Sequence, residues 1–487
     1  MKKTASKRKK WKRLIPLVLL TVALGACSAT NTSSTSTSSS STSKTTTTKT
    51  SDYFTKRDQD ASYDESKATK ISLSGSSAKT SGSGAEVSGS TVTITKAGTY
   101  VLSGSSENVQ IVVKVGNKDK VQLVLNGVTM TGTDAAIVVE NADKTFITLA
   151  KGSKNTISDS ANHKNTDYDA AIYSKDDLTF NGSGSLTVEG KYGNAIESND
   201  DLRITGGTYT IKGYKNALSA NDAINIKEAT MNLTATEDDA IHADNDEDTS
   251  LGNFYIQSGK ITINAGDDGI HASNTALIDG GTIKVEKSEE ALEGKTVTIN
   301  GGDLDLTAND DGINAADGSS SESAPGQATA GVSLTITGGK IKINAQGDGL
   351  DSNGDLTISG GEVYVDGPTN GGNGALDYDG NGTITGGTVV MVGSNGMAMG
   401  FGSNSKQASI LANVSGSAGD KVTITNSSGK EILSYTAAKN FQSVLASSTA
   451  IKDGESYTIT VNGQSTTATA SLTTQNGNGM GGGPGGR

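Results

Sequence analysis

The chain has 487 residues, with 53 acidic against 41 basic side chains, and its formal net charge at pH 7 is −12. An acidic chain of this kind repels nucleic acid and anionic lipid, so we expect it to bind neither. Cations, or anionic polymers that cations bridge, are the partners that its charge favours.

The first 26 residues predict a secretory signal peptide. A basic run, "MKKTASKRKKWKR", precedes an apolar stretch over residues 14–23 that is too short to span a bilayer. The sequence "LGAC" then ends at Cys27, the one cysteine of the chain. It resembles a bacterial lipobox, which predicts cleavage before Cys27 and a lipid on that residue; an ordinary signal peptide with a chance cysteine is the alternative. We therefore expect a secreted lipoprotein, held at the extracellular face of the cell membrane through its lipid anchor alone.

Residues 27–84 are predicted to be the lipidated cysteine and a disordered tether. From position 28 to 51, 20 of the 24 residues are serine or threonine, and such a segment has nothing apolar to bury. Removal of the signal peptide takes away 8 of the 41 basic residues and no acids, which leaves 33 basic against 53 acidic residues and a formal charge of −20.

The next segment, residues 85–165, is β-rich but irregular. It contains stretches such as "TVTITKAGTYVLSG", "VQLVLNGVTM" and "TFITLAKG". We predict that it forms an N-terminal β cap and the first coils of the fold.

A repeat of about 22 residues organises residues 166–404. Hexapeptides related to "DDGIHA" recur with Gly-Gly pairs between them, and runs such as "LTITGGKIKINA" alternate apolar with polar residues. The alternation predicts strands with one face inward, and Gly-Gly supplies corners that residues with a Cβ resist. Three short strands per period fit one coil of a parallel β-helix, whereas a propeller blade needs roughly 40 residues. The apolar fourth residues of the hexapeptides are predicted to stack as a core column: Ile172, Ile196, Leu218, Ile241, Ile270, Leu292, Ile313, Leu350 and Leu376.

Departures from the repeat indicate where a ligand would bind. Insertions follow Ile241 and Ile313 at the same corner of the coil, and loops at one corner of a solenoid commonly form its binding face. Beyond the repeat, residues 405–475 are predicted to be a C-terminal β cap that protects the stack from edge pairing. Residues 476–487 are predicted to be a disordered glycine-rich tail.

Paired acids recur at one phase of the repeat and are predicted to stack in two columns. At a spacing of about 4.8 Å, like charges repel by about 1 kcal/mol in water and several-fold more near a protein surface. Calcium takes about six to eight oxygen ligands, so bound Ca²⁺ would turn this repulsion into cross-links; solvated turn residues are the alternative. The predicted ligands are Asp238, Asp239, Asp267, Asp268, Glu289, Glu290, Asp310, Asp311 and Asp348.

Two further features delimit the predicted calcium site. The first insertion adds Asp244 and Asp246, which alternate as calcium-loop ligands do, although an EF-hand is excluded because its later glutamate and its flanking helices are missing. Earlier coils carry Asn194 and Asn216 in place of the acids, so calcium is expected only from Asp238 onward.

Another column, just after the core position, mixes acids with histidines. It contains Glu197, Glu293, Asp351, Asp377, His242 and His271. The two histidines fall at equivalent places in adjacent coils and are expected to stack on the surface. Zinc would need two more nitrogen or sulfur donors, and the other histidine of the mature chain is His163.

Candidate sugar-binding residues come from this column and from tyrosines. Trp11 lies in the signal peptide, so stacking against sugar rings in the mature chain would fall to tyrosine. The predicted substrate-binding residues are Tyr168, Tyr173, Tyr192, Tyr209, Tyr214, Glu293 and Asp351.

The hexapeptides, the "LTITGG" runs and the N-terminal "GTYVLSG" and "VQLVLNGV" resemble a family of bacterial carbohydrate-binding-domain-containing lipoproteins over roughly residues 85–460. The resemblance implies a right-handed parallel β-helix similar to that of the pectate lyases, bound calcium, and association with cellulose or polygalacturonate. It implies sugar binding and not lyase activity.

The predicted function is therefore calcium-stabilised binding of a polysaccharide by a monomeric chain, along the β-helix. One alternative is a calcium-dependent polysaccharide lyase, in which a basic residue takes a proton beside a uronate carboxylate; Lys295, near Glu293, is the nearest candidate. The other alternative is a structural adhesin or envelope protein, which needs no binding pocket.

Overall fold

The computed structural model describes residues 53–318 and 327–474, and all regular structure in these ranges is β. The predicted signal peptide, Cys27 and the glycine-rich tail lie outside the described residues. In the part that is described, no helix is long and apolar enough to cross a bilayer.

The first ten strands precede the regular repeat. They are β1 (Thr69–Gly75), β2 (Ser77–Ser81), β3 (Ala85–Ser88), β4 (Thr91–Ile94), β5 (Gly98–Glu107), β6 (Gln110–Lys114), β7 (Lys120–Thr131), β8 (Ile137–Asn141), β9 (Lys144–Leu149) and β10 (Lys154–Ser158).

The repeat region supplies strands β11 to β34. The first half consists of β11 (Ala170–Ser174), β12 (Asp177–Gly182), β13 (Ser185–Gly190), β14 (Asn194–Ser198), β15 (Asp201–Thr205), β16 (Thr208–Gly213), β17 (Leu218–Ala220), β18 (Ala223–Lys227), β19 (Ala229–Ala235), β20 (Ile241–Ala243), β21 (Asn253–Ile256) and β22 (Gly259–Asn264). The second half consists of β23 (Ile270–Ile278), β24 (Thr282–Lys287), β25 (Leu292–Ile299), β26 (Asp303–Ala308), β27 (Ile313–Ala315), β28 (Ser333–Ile336), β29 (Lys340–Ala345), β30 (Leu350–Ser352), β31 (Asp355–Ile358), β32 (Glu362–Asp366), β33 (Gly382–Ile384) and β34 (Thr388–Gly393).

The last six strands are antiparallel. They are β35 (Ser409–Gly416), β36 (Lys421–Thr425), β37 (Glu431–Thr436), β38 (Phe441–Ser447), β39 (Ser456–Val461) and β40 (Gln464–Thr469). Strand β38 pairs antiparallel with β34 and with β35, and a separate four-stranded sheet has the order β37-β36-β39-β40.

Parallel pairing between successive coils organises the repeat region. Most strands pair in parallel with the strand three positions further along the chain, as β11 does with β14 and β14 with β17. This is the pairing of a β-solenoid, so the predicted all-β, mostly parallel architecture is confirmed. The right-handed sense, the coil of about 22 residues, the end caps and the domain boundaries beyond the tether stay predictions.

The predicted core column is confirmed by the strand register. Ile172 pairs with Ile196, Ile241 with Ile270, and Ile313 with Leu350, and all are buried. These side chains belong to one continuous core that runs from β1 to β38, since stacked coils bury an apolar face that a single coil would expose.

The Gly-Gly pairs form corners where neighbouring coils approach closely. Gly361 has a φ of 80°, and a Cβ there would lie 2.8 Å from the carbonyl oxygen of Gly338 on the adjacent coil. A residue with a side chain would therefore be strained and would also push the coils apart.

Residues 53–84 belong to the folded part of the protein, so their assignment to the tether is wrong. Strand β1 pairs in parallel with β5 and antiparallel with β2. The segment before it, residues 53–62, lies across the solenoid with Phe54 and Asp58 buried, and we call it the strap. Its sequence, "YFTKRDQDAS", has neither strand alternation nor an apolar run, because its partners are supplied by distant strands.

Candidate functional site

The inner acids Asp239, Asp268, Asp311 and Asp348 each accept a hydrogen bond from a backbone N–H of the following coil. The N–H of Asp268 donates to Oδ1 of Asp239 at 2.9 Å, and the N–H of Glu290 donates to Oδ1 of Asp268 at 3.2 Å. The same contact joins Asp348 to Asp311 at 2.6 Å. The inner column is thus a ladder of side-chain oxygens that cap backbone donors on adjacent coils.

Asparagine performs this role in the earlier coils. The N–H of Asn216 donates to Oδ1 of Asn194 at 3.1 Å, and the N–H of Asp239 donates to Oδ1 of Asn216 at 2.9 Å. Because an amide oxygen satisfies the ladder as well as a carboxylate oxygen, the backbone contact does not require a charge. The acids from Asp239 onward are therefore ionisable groups whose charge the ladder itself does not use.

The outer acids form a second column beside the first, as predicted. The backbone N–H of Asp267 donates to the carbonyl oxygen of Asp238 at 3.2 Å, Glu289 donates to Asp267 at 2.7 Å, and Asp310 donates to Glu289 at 3.1 Å. Asp267 and Asp310 are exposed, whereas Asp239 and Asp268 are buried at 7% and 6% exposure. The acids therefore line one side of the solenoid from solvent to interior.

We call this side the acidic face. It consists of Asp238, Asp239, Asp267, Asp268, His242, His271, Glu289, Glu290, Glu293, Asp310, Asp311, Asn314, Asp348 and Asp351. Carboxylate oxygens of Asp267, Asp268 and Glu290 lie within 4.8 Å of one another, and so do ligand atoms of Asp239, Asp268 and His271.

Crowding of buried carboxylates raises several pKa values on the acidic face. Burial, followed by hydrogen bonding and charge repulsion from Asp268, raises the pKa of Glu290 to about 8. Burial and neighbouring carboxylates also raise the pKa of Asp311 and of Asp348 to about 7, and that of Asp351 to about 8. The protein's own charges therefore leave this face short of positive charge.

Asn314 provides an independent sign that a cation fits here, and the sequence analysis missed it. On β27 it lies between Glu293 and Asp351 of the neighbouring coils, and its Oδ1 atom is buried without a hydrogen-bond partner. A buried acceptor without a donor costs about 1–3 kcal/mol, and a cation would satisfy it. The possible metal ligands around it are carboxylate and amide oxygens, the ligand set that suits Ca²⁺.

The predicted histidine stack is confirmed. His242 and His271 pair in register, and their ring centroids lie 5.3 Å apart at an interplanar angle of 17°. Nδ1 of His242 lies 2.6 Å from Oδ2 of Asp239, and Nδ1 of His271 lies 3.0 Å from Oε2 of Glu293. The histidines thus contact the acids on their own and adjacent coils.

The charge state of His271 follows from these contacts. Burial alone would lower its pKa, but hydrogen bonds to Asp268 and Glu293 and the surrounding negative charge raise it to about 11. An imidazolium here neutralises part of the acidic face.

The acids of the first insertion lie beside this face. Oδ2 of Asp244 lies 3.9 Å from Nε2 of His242, and Asp246 is exposed. Oδ1 of Asp248 accepts the N–H of Ser250 at 2.9 Å, which is the contact of a turn. The calcium roles of Asp244 and Asp246 stay predictions.

The candidate tyrosines separate into buried and accessible ones. The prediction for Tyr209 is wrong: it is 1% exposed and belongs to the core, because it shares the inward phase of β16 with Ile211. Tyr173 is 6% exposed and packs against Tyr168, with ring centroids 5.1 Å apart. Tyr214 is 42% exposed, so its ring is open to a ligand.

Two further predicted residues are Tyr192 and Lys295, the candidate base of a lyase. Tyr192 is partly exposed and stacks on His163 at 4.3 Å. Lys295, on β25, is partly buried and its side chain lies next to Gly331, in the segment that precedes β28.

Comparison with known proteins adds the family. The profile of a family described as "Carbohydrate-binding domain-containing protein" matches residues 88–380 of this chain. The chain belongs to this carbohydrate-binding domain family. The matched residues include the whole acidic face of this family member and exclude the strap.

Two similar proteins were found, one by sequence and one by structure. A carbohydrate-binding domain-containing protein of Acetivibrio thermocellus is 37% identical over 216 residues, which are 43% of this chain and 73% of that protein. The solved structure of a polysaccharide lyase-like protein from C. thermocellum, a gadolinium derivative, is 32% identical, with a TM-score of 0.44 over 52% of this chain and 98% of that one.

Proposed function

We propose that this protein binds an anionic polysaccharide along the acidic face, and that Ca²⁺ held by the face bridges it to the carboxylates of the glycan. Polyuronates such as polygalacturonate would be preferred over neutral glucans such as cellulose. Membership of the carbohydrate-binding domain family supports the glycan as the class of ligand. The observation that carries the calcium is the ladder of crowded carboxylates. The unsatisfied Oδ1 of Asn314, which lies between Glu293 and Asp351 of the neighbouring coils, supports it.

Two groups of residues on the acidic face would hold the cations. One group is Asp267, Asp268 and Glu290, whose oxygens lie within 4.8 Å of one another. The other is Asn314 with Asp311, Asp348 and Asp351, whose raised pKa values arise from burial and from their mutual repulsion. Calcium would supply the positive charge that joins a protein carboxylate to a uronate carboxylate.

The acidic charge of the chain explains why a bridging ion is needed. With 33 basic against 53 acidic residues after removal of the signal peptide, the mature protein has a formal charge of −20 and repels an anionic polymer at long range, and a bound divalent cation reverses this locally. Tyr214, Tyr168 and Tyr192 have accessible ring surface for sugar stacking, and Glu293 and Asp351 could bind through the ion or through hydroxyl groups.

We also propose a lipid on Cys27, which would hold the mature protein at the extracellular face of the membrane as a monomer. One acyl chain alone binds a membrane only marginally, so this anchoring would need more than one chain. Replacement of Cys27 by alanine should release the protein into the medium, and retention in the membrane fraction would contradict the lipoprotein proposal.

The test of glycan binding compares polygalacturonate with cellulose, in calcium and in chelator. Asp310→Asn with Asp311→Asn should weaken polygalacturonate binding in calcium at least about tenfold, a change of about 1.4 kcal/mol. The matched control is Asp303→Asn with Asp305→Asn, which removes the same charge from exposed positions of β26 in the same coil.

Each outcome distinguishes one function from another. Equal loss of binding in both variants would mean that net charge, and not the acidic face, decides the affinity. Binding that survives chelator without preference for a glycan would favour a structural adhesin. An unsaturated product that absorbs in the ultraviolet would show that the protein is a lyase.

A further inference from the structure

The strap lies along a second side of the solenoid. It contacts strands β7, β9, β12, β15, β18 and β21, which lie side by side in the parallel sheet. Six strands span about 24 Å. The strap crosses them with a turn over residues 56–59, in which the N–H of Asp60 donates to the carbonyl oxygen of Arg57 at 3.3 Å. We call the surface beneath it the strap face, and it consists of Gln122, Lys144, Thr179, Asn181, Arg203, Thr205, Asn225 and Tyr255.

The strap face donates hydrogen bonds, and the strap accepts them. Nδ2 of Asn181 donates to the carbonyl oxygen of Asp58 at 3.1 Å, and Oγ1 of Thr205 donates to the same oxygen at 2.6 Å. Nε of Arg203 donates to the carbonyl oxygen of Tyr53 at 3.0 Å. Side-chain donors from neighbouring coils are therefore satisfied by backbone oxygen atoms of the strap.

The strap face also binds the carboxylate of Asp58. The Asp58 side chain is wholly buried, and its Oδ1 accepts from Nζ of Lys144 at 3.2 Å and from Oγ1 of Thr179 at 2.9 Å. Burial would raise its pKa, but hydrogen bonds from Thr55 and the charge of Lys144 lower it overall, so the group is ionised.

An aromatic platform completes the face at one end. The ring of Tyr53 stacks on that of Tyr255, with centroids 3.7 Å apart at 21°. The hydroxyl of Tyr255 donates to Oδ2 of Asp279 at 2.9 Å, which fixes the orientation of the platform.

The strap leaves one polar group of the face unsatisfied. Asn225 lies between Arg203 and Tyr255 of the neighbouring strands and is 3% exposed, yet its Oδ1 atom has no hydrogen-bond partner. The strap supplies acceptors along this face but no donor at this point. A ligand with hydroxyl groups would satisfy Asn225 as well as the donors.

We infer that the strap face is a second carbohydrate-binding face, and that the strap is its intramolecular occupant. The ligand it fits is an acidic glycan, with a carboxylate on Lys144 and Thr179, ring oxygens and hydroxyls along Asn181, Arg203 and Asn225, and a sugar ring on Tyr255. The choice of a glycan rests on the proposed function. The carboxylate is held by a lysine, so this face works without calcium.

The experiment measures binding of a purified oligogalacturonate by titration calorimetry in the presence of chelator, which silences calcium bridging. Phe54→Ala with Asp58→Ala should loosen the strap and tighten binding at least about tenfold over the parent chain, because the open state becomes more populated. Adding Tyr255→Ala to this variant should abolish the gain. Binding no tighter than that of the parent, in a variant with the parent's β-sheet circular dichroism, would overturn the inference.

A second measurement applies to the unaltered chain and does not depend on the folding of a variant. Hydrogen exchange of the strap amides should rise at least about tenfold when the oligogalacturonate is saturating in chelator, whereas unchanged protection overturns the inference. Failure of the calcium proposal shows instead as unaltered polygalacturonate binding by Asp310→Asn with Asp311→Asn in calcium, so the two failures are distinguishable.

Discussion

Carboxylates on the strap face and on the acidic face have different charged partners. On the strap face, Asp58 lies 3.2 Å from Lys144, and Asp177 lies 3.2 Å from Arg203. On the acidic face, Asp239 and Asp268 contact histidines, and the neighbouring carboxyl groups have raised pKa values.

The difference shows where each face obtains its positive charge. The chain itself supplies the permanent cations Lys144 and Arg203 to the carboxylates of the strap face. The acidic face has histidine side chains against Asp239 and Asp268, and under the proposed function it takes further positive charge from ions in solution. Stability should therefore respond to internal substitutions on one face and to solution conditions on the other.

The largest effect is expected from Lys144→Ala. It leaves the wholly buried Asp58 without its ion pair, which should lower the free energy of unfolding by about 3–5 kcal/mol, equally in calcium and in chelator. Lys120→Ala is the matched control, because Lys120 occupies the same column one coil earlier but forms an exposed pair with Asp143. Chemical denaturation should show a change of at most about 0.5 kcal/mol for the control; similar losses in both variants would contradict the comparison.

Calcium should stabilise the protein through the acidic face. A free concentration of about 100 times the dissociation constant adds roughly 2.7 kcal/mol per site to the free energy of unfolding. Thermal unfolding in calcium and in chelator measures this, with magnesium as the control ion. A midpoint of thermal unfolding that chelator does not change would show that calcium does not stabilise this face.

The pH dependence should differ between the two conditions. Asp311, Asp348, Glu290 and Asp351 have folded-state pKa values of about 7 to 8, above the values of about 4 in an unfolded chain. Their contribution to the free energy of unfolding is complete below about pH 4 and is lost as the pH rises through their folded-state pKa values of 7 to 8. In chelator, each group with a folded-state pKa of about 7 should make the free energy of unfolding up to about 2 kcal/mol larger at pH 5.5 than at pH 8.5, and the four groups act in the same direction.

Calcium should largely remove this dependence, because it favours the ionised carboxylates. Denaturant titrations at both pH values test the prediction. Equal stability at pH 5.5 and pH 8.5 in chelator would show that the carboxylates are not crowded in solution.

The smallest effect is expected from a double variant whose effect on stability has opposite signs in chelator and in calcium. Asp311→Asn with Asp348→Asn keeps the oxygens that cap the ladder but removes two charges, so in chelator at pH 8.5 it should stabilise the protein by about 1 kcal/mol. In calcium the same change should destabilise it, because ligands are lost. The control, Asp303→Asn with Asp305→Asn, should show no such reversal in paired denaturation curves. Destabilisation by the acidic-face variant in both conditions would refute this explanation.

Sequence periodicity predicted the features that follow from equivalent positions in neighbouring repeats. The core column and the histidine stack follow from the spacing of Ile241 and Ile270, because residues at equivalent phases of stacked coils must be neighbours. Tyr209 could have been placed correctly by the same reasoning, since it alternates in phase with Ile211.

Features that depend on a single side chain or on a distant partner were not predictable in this way. The strap has no periodic pattern, and the burial of Asp58 depends on Lys144 and Thr179, which lie 86 and 121 positions away. The unsatisfied oxygen of Asn314 becomes visible only when its neighbours on adjacent coils are known.

The strap also bears on the order in which the protein folds. Neighbouring coils make contacts across roughly one repeat, so they can form successively as the chain becomes available. The strap closes loops of 86, 121 and 150 residues to reach Lys144, Thr179 and Arg203. Its docking sites do not exist until the strands that carry them have stacked, so we expect the strap to dock after the coils from β7 to β21 have formed. Ordering of residues 53–62 would then report that these coils are complete, and a tyrosine fluorescence signal from Tyr53 against Tyr255 would follow that step in refolding.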